Sequence, residues 1–112
     1  MNIQFADKKM LKSCSDPLLA SKAWGQRGAK IRQRLDEFRA AVSLKDIAML
    51  PAARLHPLKG NRSGQFAVDI IHPFRLVFEP VGSPNDLNDV RGNLDLKKVK
   101  TIRILEVVDY HD

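Results

Sequence analysis

A chain of 112 residues with 44% hydrophobic residues, a formal net charge of +6 and one cysteine can bury a single core but cannot form an internal disulfide. Its apolar residues come in short runs, none near the roughly 18 that a membrane span needs, and Met1 to Asp7 shows no basic-then-apolar signal pattern. One cytoplasmic domain over residues 1–112 is expected, with Cys14 a passive thiol and no membrane partner. The charge is uneven. Residues 1–62 hold thirteen Lys/Arg against five Asp/Glu, a balance of +8, and residues 63–112 hold six against eight, a balance of −2. A basic half of this kind can attract a polyanion with salt-sensitive affinity, although on charge alone a solvated helix face is the better account.

Asn2 to Phe5 reads as a short edge strand. Asp7 can cap a first helix from Lys8 to about Ser13, and Asp16 with Pro17 at the first helical position can start a second. The segment running to Ala41 carries Trp24, Ile31, Leu35 and Phe38 on one amphipathic stripe, with a break expected between Gln26 and Ala29, where Gly25 and Gly28 weaken the helix. Lys30 and Arg34, four apart, share another face, and together with Arg27 they are expected to track RNA phosphates. Ser43 and Asp46 have capping-box spacing and open a short helix ending before Pro51.

After Pro51 the period changes from that of a helix to that of a strand. Lys59-Gly60-Asn61-Arg62 and Ser63-Gly64 form a basic turn, in which Lys59 and Arg62 could hold phosphate. Phe66, Val68 and Ile70 alternate with Ala67 and Asp69, and Leu76 and Phe78 alternate with Arg75, Val77 and Glu79. His72-Pro73 is the turn between these strands, with His72 at the surface. If Leu76 and Phe78 face the helices, Arg75 stands on the opposite, open face, free for RNA or paired with Asp69 or Glu79 across the strands. Residues 81–100 are too long for a hairpin loop, and Thr101 to Val107 is the last strand. These elements predict an α+β fold: a small, mostly antiparallel sheet with the N-terminal helices on one face and a site on the other.

His56, Lys59, Arg75 and Tyr110 hold the side-chain types that metal-free RNA cleavage requires: proton donors and acceptors, and cations for the phosphorane. The imidazole of His56 exchanges protons near neutrality. Arg62, Asp109 and His111 are further candidates to contact RNA. The three histidines lack an H-x-x-x-H or clustered-cysteine pattern, so no metal and no cofactor are expected.

Leu55-His56-Pro57-Leu58-Lys59-Gly60, then Arg62 with Gly64, the strand around Phe66 to Ile70, the step Phe74-Arg75 and the terminal Ile104-Leu105 with Asp109-Tyr110-His111 together resemble the HigB-type toxins. These are the plasmid-maintenance killer branch of the RelE/ParE toxin superfamily. The resemblance is tight over the last two thirds of the chain. It implies a RelE-like fold and a toxin that cleaves mRNA in the ribosomal A site, yielding a 2′,3′-cyclic phosphate and a 5′-hydroxyl. His56 and Tyr110 would then move protons while Lys59 and Arg75 stabilise the phosphorane. The implied partners are the ribosome, mRNA and a helix-turn-helix HigA-type antitoxin, with operator DNA met only through the antitoxin complex. Two rival readings remain, a ParE-like inhibitor of DNA gyrase and a non-catalytic nucleic-acid-binding module. Gyrase inhibition needs no proton-transfer pair, and 6% aromatic residues is thin for a stacking platform.

Overall fold

Two aspartates set where the first helices begin. In the computed structural model, which describes residues 1–109, the carboxylate of Asp7 accepts from the Met10 N–H at 2.7 Å and starts α1, Lys8–Ser15. Asp16 accepts from the Leu18 N–H at 2.9 Å and starts α2, Pro17–Trp24, with Pro17 in the first turn as expected. Gly25, at φ 57°, ends α2 in a conformation that favours glycine. The break thus falls at Gly25-Gln26, slightly before the expected place, and α3 runs Arg27–Ala40. Gly28, inside α3, lets α2 come close. A Cβ there would meet the Ala20 carbonyl oxygen at 2.9 Å.

A short helix, α4 (Leu44–Ala48), follows, but without the expected capping box. Ser43 makes no side-chain cap, and Asp46 reaches further back to accept from the Val42 N–H at 2.8 Å. A 3-10 turn at Pro51–Ala53 then leads into the sheet.

The sheet has five strands: β1 (Asn2–Phe5), β2 (His56–Pro57), β3 (Phe66–Asp69), β4 (Phe74–Pro80) and β5 (Thr101–Asp109). Their order is β1-β5-β4-β3-β2, with β1 parallel to β5 and every other pair antiparallel. The chain turns from β3 to β4 through a cis His72–Pro73 peptide, and His72 is exposed. Val68, Ile70, Leu76, Phe78, Ile102 and Ile104 pack with Ile31, Leu35 and Phe38 of α3 in one core. Phe38 meets Phe78 edge-on with ring centroids 5.1 Å apart. The fold is α+β with helices on one face of a mostly antiparallel sheet, as the alternation predicts.

The 81–100 segment is ordered and contributes to this core. Ser83 caps a short helix, α5 (Pro84–Leu87), and a 3-10 turn covers Leu96–Lys98. Leu87 and Val99 are buried, so the insertion is a lid on the end of the core, not a surface excursion.

Candidate functional site on the open sheet face

Register decides which side chains share the face that the helices leave open. Val68, Leu76 and Phe78 point into the core, so Ala67, Asp69, Arg75 and Val77 point the other way. His56 is paired with Ala67, Ala67 with Val77, and Val77 with Glu106, so these four lie in one row across the open face. Asp69, Arg75 and Val108 form the next row. A bulge between Val77 and Phe78, where the partner shifts from Glu106 to Ile104, brings Glu106 into the first row. Ala67 and Val77 are fully buried although they lie outside the helix-side core.

His56 is held by its own local chain. Arg54 adopts a left-handed conformation (φ 48°, ψ 55°) after the 3-10 turn, and its carbonyl oxygen accepts from His56 Nδ1 at 2.7 Å. A carbonyl can only accept, so Nδ1 carries a hydrogen and a neutral ring has its lone pair on Nε2. Nε2 is enclosed and makes no hydrogen bond to a described residue.

Arg75 is on the open face, and of the two expected alternatives it also takes the second. Its Nε lies 3.4 Å from Asp69 Oδ1, an ion pair without hydrogen-bond geometry, and Arg54 Nη1 lies 3.1 Å from Asp69 Oδ2. Asp69 thus stands between two guanidinium groups. The other candidate acid, Glu79, is matched with Arg103 at 2.8 Å. Arg62 is likewise engaged, with Glu106 at 2.8 Å and Gln65 at 2.9 Å, which ties the Gly60–Arg62 turn to β5. Lys59, just before that turn, is exposed and free of ion pairs among the described residues. Asp109 pairs with Phe74 at the end of β5, on the helix side of the sheet. Tyr110 and His111 lie outside the described residues.

The expected phosphate-tracking face of α3 does not exist as drawn. Arg34 is 3% exposed and builds the fold instead: Nε donates to the Asp69 carbonyl at 2.8 Å, Nη2 to the Ala52 carbonyl at 2.9 Å, and Nη1 to Glu37 at 2.9 Å. Lys30 donates to Gln33 at 2.9 Å, and Arg27 lies over the Phe74 ring. Arg34 therefore holds from behind the two segments that deliver Arg54, His56 and Asp69 to the open face.

Three charged residues of this face are unassigned by the sequence alone, Arg54, Arg103 and Glu106. Arg54 is signalled by its place directly before Leu55-His56, whereas Glu106 reaches the face only because of the bulge. Among the described residues no group of three or more His, Cys, Asp or Glu side chains could hold a metal ion, and no helix is long and apolar enough to cross a membrane.

No protein-family model matches the sequence, and neither does any curated protein. Among solved structures, the chain is similar to a YoeB/ParE toxin from Agrobacterium tumefaciens, with a TM-score of 0.56 over 99% of this chain and 100% of that one, at 15% identity. At that identity the likeness is one of architecture, and the α+β arrangement described above is compatible with the RelE/ParE-like toxin fold.

Proposed function

We propose that this chain is the toxin of a type II toxin–antitoxin pair and acts as a ribosome-dependent, metal-independent mRNA endoribonuclease. The observation that carries this reading is His56: its Nδ1 is committed to the Arg54 carbonyl, its enclosed Nε2 has no hydrogen-bond partner among the described residues, and it shares the open sheet face with Arg75. Cleavage by a neighbouring 2′-hydroxyl needs a proton acceptor, a proton donor for the leaving 5′-oxygen and positive charge at the phosphorane. In this scheme His56 and Tyr110 exchange the protons, and Lys59 and Arg75 stabilise the phosphorane. Asp69 pairs with the guanidinium of Arg75 at its Nε edge, on the open face beside the His56 row. Arg62, Asp109 and His111 are assigned to RNA contact. Among the described residues the open face offers rows of single side chains, and in this scheme the ribosome positions the message on them. The partner that silences the toxin is a helix-turn-helix HigA-type antitoxin, operator DNA is met through that complex, and the setting is the cytoplasm.

The test is cleavage of ribosome-bound mRNA mapped at nucleotide resolution, for wild type, His56→Ala and Arg75→Ala, each checked for folding by circular dichroism. Wild type cuts in the A site, and each variant is slower by about a hundredfold or more, the scale of losing one transition-state partner. A folded His56→Ala or Arg75→Ala protein that cuts like wild type overturns the assignment of that residue. Efficient cutting of naked RNA overturns the ribosome requirement. Intact mRNA together with stalled gyrase–DNA complexes replaces the nuclease with a gyrase inhibitor.

A further inference from the structure

Among the described residues, five arginines are buried or half-buried, and four of them have an acidic partner: Arg34, Arg62, Arg75 and Arg103. The fifth is Arg27. Its guanidinium carbon lies 3.9 Å above the centre of the Phe74 ring, its Nε is enclosed, and that nitrogen has no hydrogen-bond partner among the described residues. An enclosed guanidinium N–H without an acceptor is costly, and attraction to the ring offsets only part of that cost. Arg27 thus carries a charge that no acid among the described residues offsets.

The stack forms the wall of a cleft of about 530 Å³ between the α2–α3 junction and the β3–β4 turn, lined also by Lys22, Trp24, Gln26 and His72. Its charged lining is entirely cationic. Two clefts elsewhere mix signs, Arg32 with Asp36 and Glu37 beside α3 and Lys9 with Asp7 and Glu106 beside β5. Cations set among flat aromatic and guanidinium surfaces match a nucleotide, whose phosphate pairs with the charges while its base stacks. The cleft also has a defined relation to the open face. Phe74 and Arg75 are neighbours on β4, with Cα atoms about 3.8 Å apart, and their side chains leave the sheet on opposite sides at its β3–β4 end.

We propose that this cleft binds one nucleotide of single-stranded RNA, the part of the strand that continues past the open face around the β3–β4 end of the sheet. The inference rests on RNA being the substrate of the open face. Arg27 and Lys22 hold the phosphate, and Arg27, already stacked on Phe74, offers its outer plane to the base.

Trp24 is the only tryptophan of the chain, so its emission reports on this cleft. The probe is a single-stranded hexaribonucleotide with 2′-O-methyl groups, which no 2′-hydroxyl mechanism can cut, titrated into the full chain. Trp24 emission should change saturably, and Arg27→Gln should weaken that binding at least tenfold and lower its salt slope by about one. Lys22→Gln, a milder change should Arg27→Gln not fold, should weaken it severalfold. Arg91→Gln on the loop after α5 should leave it within twofold. Unchanged emission when fluorescence anisotropy shows the hexamer fully bound overturns the proposal. So does wild-type affinity in folded Arg27→Gln, or an equal response to inorganic phosphate or an acidic peptide at the same concentration. A protein that passes this test but cuts no ribosomal message keeps its nucleotide cleft and loses the nuclease assignment.

Discussion

Arg34 separates a structural cation from an RNA-docking one, and replacing it with methionine gives a worked case. Arg34→Met keeps the aliphatic stem and removes the guanidinium that joins α3 to the Asp69 and Ala52 carbonyls at 2.8 and 2.9 Å. Each carbonyl left unpaired in a closed site costs about 1–3 kcal/mol, while Glu37, more open to water, is rehydrated at little cost. Relief from burying the charge returns part of this, so the net loss is about 3 kcal/mol, toward the low end for breaking a buried ionic contact. That is a large share of the 5–15 kcal/mol typical of a domain. Urea unfolding followed by circular dichroism should show the midpoint falling with little change in slope. Lys30→Gln, which loses one exposed contact to Gln33, should stay within about 0.5 kcal/mol of wild type. Cleavage by Arg34→Met should fall as well, because Asp69 and the 51–56 segment lose their support, while the salt slope of ribosome binding by folded protein should not change. Wild-type stability combined with a salt slope reduced by about one would refute this reasoning and return Arg34 to the RNA.

Gly28→Ala places a methyl group 2.9 Å from a backbone oxygen that cannot rotate away, so overpacking of about 1–3 kcal/mol exceeds the helix-propensity gain of about 1 kcal/mol and Tm should fall; an unchanged or raised Tm would argue against the close α2–α3 contact. Burial pushes the Cys14 thiol up to about 11 from its ordinary 9.0, with Arg39 pulling weakly the other way, so iodoacetamide at pH 8 should label it far more slowly in folded than in urea-unfolded protein. The folded thiol keeps its proton longer than the unfolded one, so this contribution is fully present below pH 9 and is lost as pH rises from about 9 to 11, on the order of 2–3 kcal/mol. Cys14→Ala should flatten the decline in urea midpoint between pH 8 and 10.5, and an identical decline in both proteins would contradict it.

The parts of the fold legible in the sequence are those written in local chemistry. Asp7 and Asp16-Pro17 mark helix starts that a backbone needs whatever it packs against. The two-residue period of Val68, Ile70, Leu76 and Phe78 likewise decides which face of the sheet meets α3. Strand β2 has only two residues and so no period to read. Its pairing is set by the turn that follows, where the Leu58 N–H donates to the Gln65 carbonyl at 2.9 Å. Arg34 was misjudged by pairing it with Lys30, four residues before. It also stands three residues after Ile31 and four before Phe38, on the buried stripe, so the same spacing rule read against apolar neighbours points inward. Leu87 and Val99, isolated in a polar segment, gave no warning that residues 81–100 reach the core.

The site shows a further division that composition alone conceals. Most cations of the open face come with acids: Arg54 and Arg75 share Asp69, Arg62 has Glu106, and Arg103 has Glu79. Such a face exerts little net pull at a distance, since three acids offset all but one of these four cations within a Debye length. The +8 of residues 1–62 is carried instead largely on α1, α2 and α3, where Lys8, Lys9, Lys12, Lys22 and Arg32 are exposed. Under the proposed function, long-range attraction to a polyanion belongs to the helical side and short-range chemistry to the sheet side. On this division, neutralising helix cations changes how tightly and how fast the ribosome is met, whereas changes at His56, Lys59 or Arg75 alter what happens once it is bound. Arg27 stands where the two sides join, at the sheet end that also carries Arg75.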